Sequence, residues 1–215
     1  MTQSEENYLK AVYHLQKMNP GIISTNAIAD EMQTKPSSVT DMVKKLAEKG
    51  LLHYKKYQGV SLSPTGTQKA LAVIRKHRLW ETFLVEKLNF SWDEVHEIAE
   101  QLEHIESEKL IDELDRFLSY PRVDPHGDPI PDKNGELEEQ HTRLLSNLGI
   151  HTTCICVGVK DSSASFLRYL DNNKIALGDQ IQILEKEDFD QSIHVRVGDR
   201  ELQLSHLIAS NLYVK

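Results

Sequence analysis

The sequence predicts a mainly α-helical chain with a small β component: a winged helix-turn-helix, a helical dimerisation domain and an SH3-like barrel. Three observations carry this. Apolar residues recur every three or four positions up to residue 119, interrupted by one alternating stretch. Residues 120–135 hold four prolines and two glycines and close the helical part. From residue 150 onward, short apolar-polar alternations sit between turn signals.

Tyr8, Val12, Leu15 and Met18 share a helical face, and Asn19-Pro20-Gly21 stops that helix. Residues 26–32 read as a second, short helix with Ala27, Ile28 and Ala29 as small apolar contacts. Pro36-Ser37-Ser38 starts a third, carrying Val39, Met42, Val43 and Leu46 inward as far as Gly50. Proline suits a helix start because its fixed φ is helical and its missing N–H has no partner to lose there. Residues 51–62 alternate loosely, with Gly59 near the bend, and predict a two-stranded hairpin. Ser63-Pro64-Thr65-Gly66 opens a long helix towards Leu88. Ser91-Trp92-Asp93-Glu94 is a start signature for another, reaching about His104, and one more helix runs to Ser119. The prolines of residues 120–135 exclude a regular helix or central strand, leaving a linker or a packed irregular loop. Strands are expected at residues 153–159, 180–185, 192–197 and 201–204, with turns at Leu177-Gly178-Asp179 and Val197-Gly198-Asp199. Four or five short strands fit a small barrel. The expected domains are residues 1–72, 73–140 and 150–215.

Hydrophobic residues make up 39% and charged residues 27%, the make-up of an ordinary globular protein. No apolar run reaches the roughly 18 residues of a membrane span. The start, MTQSEENYLK, lacks the apolar stretch of a leader, so a cytoplasmic location without membrane association is expected. Cys154 and Cys156 lie one residue apart on a predicted strand, which suits two small core residues better than a disulfide framework. The net charge of −8 is uneven: residues 1–78 hold 12 Lys and Arg against 6 Asp and Glu, the remainder 13 against 27. A basic head on an acidic body suits a nucleic-acid binder whose head makes the contact, although solvated surfaces segregate charge as well.

In a winged helix-turn-helix the third helix enters the major groove, its first residues nearest the bases. Thr34, Pro36, Ser37, Ser38 and Thr40 are short enough to bring hydroxyls or apolar edges against base edges and thymine methyls. Lys35, Lys44 and Lys45 flank them, and Lys55, Lys56 and Tyr57 lie on the hairpin, where a wing meets phosphates. The competing reading is a merely capped and solvated helix; the hairpin and the basic balance weigh against it.

His and carboxylate recur at one-turn spacing on two neighbouring helices. His77 and Glu81 are i and i+4 on the first; His96, Glu100, Glu103 and His104 fall at i, i+4, i+7 and i+8 on the second. The apolar stripe of that second helix, Val95, Ile98, Ala99, Leu102 and Ile105, is centred elsewhere on the wheel. Imidazole and carboxylate without thiolate suit manganese, iron(II), cobalt or zinc, but such a stripe is also the pattern of a solvated charged face. Leu79, Phe83, Leu84, Val85 and Leu88 give the long helix an apolar face larger than one small domain requires, so a C2 homodimer is expected.

The pieces KPSSVTDMVKKLAEKGLL, LSPTG, RKHRLWE, VHEIAEQLEHIES and PHGDPIP together resemble the diphtheria toxin repressor family of iron- and manganese-dependent regulators, from about Glu6 to the C-terminus. The resemblance implies a winged head, a helical metal-binding and dimerisation domain and an SH3-like, FeoA-like tail. It implies that His77, Glu81 and His96 are ligands of one metal site. It implies that Glu100, Glu103 and His104, with Asn7 of the first helix, form the site that triggers DNA binding. It also puts Pro36 and Thr40 next to bases. Glu100 stands where the iron-sensing branch carries cysteine and the manganese regulators glutamate, which favours Mn2+, with Fe2+ as the alternative. Asn7 stands where the family has Met or Asp, and Lys10 where the manganese branch has a carboxylate ligand. In the tail, Ser162 and Ser165 fall near positions that are ligands in some relatives, and that role is not carried over.

The expected function is a metal-dependent transcriptional repressor, not an enzyme, binding palindromic double-stranded operators of metal-homeostasis genes as a homodimer. Two other classes stay open. A di-metal carboxylate enzyme would use Glu-x-x-His on paired helices, whereas Glu100 to His104 is i+4 without a second copy. A metal-insensitive DNA-binding protein would bind the same DNA with or without the ion.

Overall fold

The computed structural model describes residues 1–56 and 58–215; Tyr57, expected on the wing, lies outside the described residues. The chain falls into two compact units. Met1–His77, Glu100–Asp112 and Pro131–Leu137 form one; Arg78–Ala99, Glu113–Ile130 and Glu138–Lys215 form the other.

In the first unit, helix α1 (Gln3–Met18) is opened by a reciprocal cap: the Thr2 hydroxyl accepts from the Glu5 amide and the Glu5 carboxylate accepts from the Thr2 amide. Ser24 caps α2 (Thr25–Glu31) by accepting from Ala27 N at 3.1 Å. Helix α3 (Pro36–Glu48) has proline in its first turn and no side-chain cap, so Ser37 and Ser38 are not spent on capping it. Strands β1 (Leu52–Lys55) and β2 (Gly59–Leu62) pair antiparallel from Leu52 opposite Leu62 to Lys55 opposite Gly59. Leu9, Val12, Ile28, Val39, Val43, Leu46 and Val60 form the buried centre. The layout is the helix, short helix, helix and hairpin of a winged helix-turn-helix.

LSPTG has a local reason. Ser63 Oγ donates to Leu51 O and accepts from Gly66 N at 3.0 Å. A Cβ on Gly66 would lie 1.9 Å from Leu51 O, so only glycine lets the first turn of α4 (Pro64–Leu88) press against the hairpin. Helix α4 is one 25-residue helix whose N-terminal part belongs to the first unit and C-terminal part to the second. Helix α5 (Val95–Leu102) is shorter than expected. Glu103 and His104 lie in the turn after it, where contacts to α1 and α4 outweigh helical propensity. Helix α6 (Glu108–Phe117) follows.

The second unit carries an antiparallel sheet of six strands, ordered β3-β8-β4-β5-β6-β7: β3 (Arg143–Leu144), β4 (Thr153–Val159), β5 (Gln180–Lys186), β6 (Ile193–Val197), β7 (Arg200–Leu204) and β8 (Leu212–Val214). The strands β4 to β7 match the expected ones within two residues. The sheet also takes in β3, upstream of residue 150, and β8. Helix α7 (Ala164–Asn172) packs Phe166, Leu167 and Leu170 into its core. Cys154 and Cys156 are buried free thiols in that core, and burial pushes Cys156 up to about 11. Among the described residues no helix is long and apolar enough to cross a membrane.

Candidate metal centre and nucleic-acid interface

Helix α1 and the turn after α5 bring acidic and imidazole groups together in the first unit. His104 Nδ1 lies 2.6 Å from Glu6 Oε2, and its Nε2 lies 3.7 Å from Glu103 Oε1. Glu103, with no exposed surface, has its other oxygen 2.6 Å from His77 Nδ1 and receives the Lys10 ammonium at 2.7 and 2.8 Å. Lys10 also bonds the half-buried Glu100. Burial works against ionising Glu103, but His77 and Lys10 outweigh it and hold the carboxyl below its usual range. Asn7 Oδ1 is buried without a hydrogen-bond partner. A buried amide oxygen left unpaired costs stability unless something accepts its lone pairs, and a cation does so. The donors are carboxylate oxygens, imidazole nitrogens and this amide, a set that fits a divalent manganese or iron ion. Glu6, Glu103 and His104 are thus linked in one cluster, with Glu100 joined through Lys10 and His77 against Glu103; Asn7 follows Glu6 on α1.

A second group lies in the second unit. Glu81 Oε1 is 3.5 Å from His96 Nδ1, and Glu81 Oε2 is 3.6 Å from His126 Nδ1. Ligand atoms of Glu81, Asp124 and His126 all lie within 4.8 Å of one another, and all three residues are buried. Burial pushes the Asp124 carboxyl up, reinforced by the nearby Glu81 and Asp128 carboxylates. Burial also lowers His126, but Glu81 and Asp124 more than offset this and lift it to about 9. Arg78 Nε lies 3.5 Å from Asp124 Oδ2 and supplies part of the positive charge here. Two enclosed carboxylates and an imidazole with ligand atoms this close remain a donor set that fits a divalent cation. His96 is 59% exposed at this edge.

The loop that delivers these residues is built by Asp124, whose carboxylate accepts from His126 N at 2.8 Å and Asp128 N at 3.0 Å. Val159 N donates to His126 O, and Trp92 stacks on the His126 ring with centroids 6.2 Å apart. Sequence reading passed over Glu6, Asp124 and His126 as site residues. For the loop pair the available signal was a histidine and an aspartate inside the proline-rich run PHGDPIP, with Asp124 directly before it. For Glu6 it was only adjacency to Asn7.

On the side where a helix-turn-helix layout would face DNA, Thr34, Lys35, Pro36, Ser37, Ser38 and Lys44 are exposed, as is Lys56 on the hairpin. Thr40 is half-buried and its hydroxyl donates to Pro36 O at 2.9 Å, leaving its methyl as the group available for contact. Lys45 is 51% exposed but lies 3.0 Å from Glu5 Oε1, and Lys49 lies 2.6 Å from the same oxygen. That buried carboxyl is drawn down to about 2 by its bonds to Lys49 and Lys45. Glu5, Glu6 and Asn7 are consecutive: the first holds α3 through Lys45 and Lys49, the second reaches His104, and the third, next in sequence, has its amide oxygen buried.

Residues 1–60 match the family model for the N-terminal DNA binding domain of iron dependent repressors. Residues 63–132 match the metal binding and dimerisation domain of the same family, and residues 143–215 the FeoA domain. The iron-dependent repressor IdeR of Mycobacterium leprae is 33% identical over 132 residues, 61% of this chain and 56% of that protein. The chain thus spans just over half the length of that curated relative. A solved manganese-dependent transcriptional repressor in complex with manganese is 33% identical, with a TM-score of 0.87 over 98% of each chain. ScaR with bound Zn2+ is 36% identical, with a TM-score of 0.79 over 98% of each chain.

Proposed function

The chain belongs to the iron-dependent repressor family of metal-dependent transcriptional repressors, and from that premise we propose a manganese-responsive repressor that binds a palindromic operator of metal-homeostasis genes as a homodimer. The family consists of DNA-binding regulators and not of enzymes, which sets aside the di-metal carboxylate alternative. A DNA ligand implies action in the cytoplasm.

The run Glu5-Glu6-Asn7 carries the reading. Asn7, Glu100, Glu103 and His104 would hold the ion, with Glu6 against His104. When bound, a divalent ion supplies the positive charge that lets these carboxylates stay ionised side by side. Their gathering fixes the first turn of α1 against the turn after α5. Glu5 then fixes the same turn of α1 to Lys45 and Lys49 of α3. The reading helix is in this way ordered by the residues of the centre, and an ion acts only through higher affinity for that ordered arrangement. Oxygen at Glu100, where the iron-sensing branch has sulfur, supports manganese over iron. Glu81, Asp124 and His126, with His96 beside them, are proposed as a second ion site. Thr34, Lys35, Pro36, Ser37, Ser38 and Thr40 are proposed to face bases, and Lys44 and Lys56 phosphates.

The test is operator selection from genomic fragments with Mn2+, with anaerobic Fe2+ and with chelator in parallel. Palindromic fragments recovered with Mn2+ and lost in chelator are the expected result. Equal recovery in chelator would mean metal-insensitive binding, and recovery with Fe2+ alone would overturn the choice of manganese.

A further inference from the structure

Lys10 follows Glu6 by four residues and Asn7 by three, so all three share one side of α1. Its side chain is 10% exposed and its ammonium bonds Glu100 and both oxygens of Glu103. A buried ammonium chelated by two carboxylates is a cation site filled by the protein itself. With the His77 and His104 imidazoles neutral, three carboxylates, Glu6, Glu100 and Glu103, and one ammonium leave two negative charges in the cluster, which one divalent ion balances.

We propose that Lys10 is a built-in cation of this centre. It takes the place that a further ion would hold, limits the cluster to one divalent ion, and ties α1 to Glu100 and Glu103 when no metal is bound. The inference rests on the reading that Glu100, Glu103 and His104 hold metal. Its consequence is a repressor whose head is partly ordered without metal and whose centre binds metal more weakly than its carboxylate count suggests. Replacing the ammonium by a neutral group leaves the carboxylates uncompensated, so the metal-free fold loses stability while the pull on an added cation grows.

Mn2+ binding to the full chain, by calorimetry and equilibrium dialysis, tests this with K10M, K10E and K10R, alongside melting in chelator. K10M should melt lower than wild type in chelator, recover with Mn2+, and bind Mn2+ at least about tenfold tighter, the scale of removing one nearby unit charge from a partly solvated site. K10E should take up one more Mn2+ per chain than wild type. K10R, which keeps the charge, should match wild type in affinity and stoichiometry. Should K10M fail to fold without metal, the K10E stoichiometry still decides. No gain in affinity for K10M, or equal stoichiometry for K10E and wild type, overturns the inference alone. Absence of Mn2+ uptake by wild type, or undiminished uptake by E103Q, overturns the metal reading and the inference with it.

Discussion

A carboxylate with no exposed surface is tolerated only when donors satisfy its oxygens, and Glu5 meets that condition through the Thr2 amide, Lys45 and Lys49. Glu5→Gln should therefore cost about 1–2 kcal/mol at neutral pH, below the figure for a fully enclosed pair because both lysines are half exposed. The folded pKa of about 2 lies below the ordinary 4.5. The stabilisation is thus complete above about 4.5 and drains away as pH falls towards 2. Urea denaturation should show the gap between wild type and E5Q narrowing as the pH drops below 4.5; a gap independent of pH would remove the charge from the explanation. The same contact separates two lysines that look alike in the sequence. Lys44→Ala should weaken binding to every DNA and reduce the salt slope by about 1, whereas Lys45→Ala should first show as lost stability. Sequence spacing could not separate them, because Glu5 and α3 are joined only by folding: Lys49 is 44 positions from its partner.

Elements were legible where periodicity and punctuation agree. Helices α1, α3 and α4 and the strands β4 to β7 stand where apolar spacing, Pro and Gly put them. The end of α5 was not, because Glu103 and His104 continue a helical stripe in the sequence but are held in a turn by Lys10, His77 and Glu6. The loop at residues 120–135 was legible only as irregular, since proline content says where a helix cannot be and not what a loop encloses. That loop places His126 by an intimate backbone contact. Gly127 has φ +88°, and a Cβ there would lie 2.2 Å from Val157 O and 2.5 Å from Gly158 Cα. Gly127→Ala should consequently cost at least about 2 kcal/mol, from left-handed strain and displacement of the loop from β4. It should also loosen the Trp92–His126 stack. Chemical denaturation, read together with Trp fluorescence, checks both; a change within half a kcal/mol would show that the loop can shift freely.

At the scale of the molecule, a basic N-terminal third of net +6 is attached to an acidic remainder of net −14, so DNA affinity must come from the head alone. One small head making a handful of phosphate contacts binds weakly at physiological salt; two heads on one palindrome gain by effective concentration, typically 10²–10⁴-fold. Phe117 offers a way to test that coupling. It is 62% exposed at the end of α6, its ring 6.2 Å from Phe83 and beneath the Lys87 ammonium at 5.7 Å, with Leu88 and Tyr120 also exposed. Large apolar side chains left open in a dimerisation domain suit a two-fold contact with a second copy. Phe117→Glu puts a charge into that contact while touching none of the metal candidates. The variant should sediment as a monomer, take up Mn2+ with unchanged stoichiometry, and lose at least about a hundredfold in operator affinity, with a salt slope near half that of wild type, because only one head binds at a time. A dimeric F117E with wild-type operator affinity would place the two-fold contact elsewhere on the surface. A monomeric F117E that keeps full affinity would mean that one head suffices, and the palindrome would lose its physical basis.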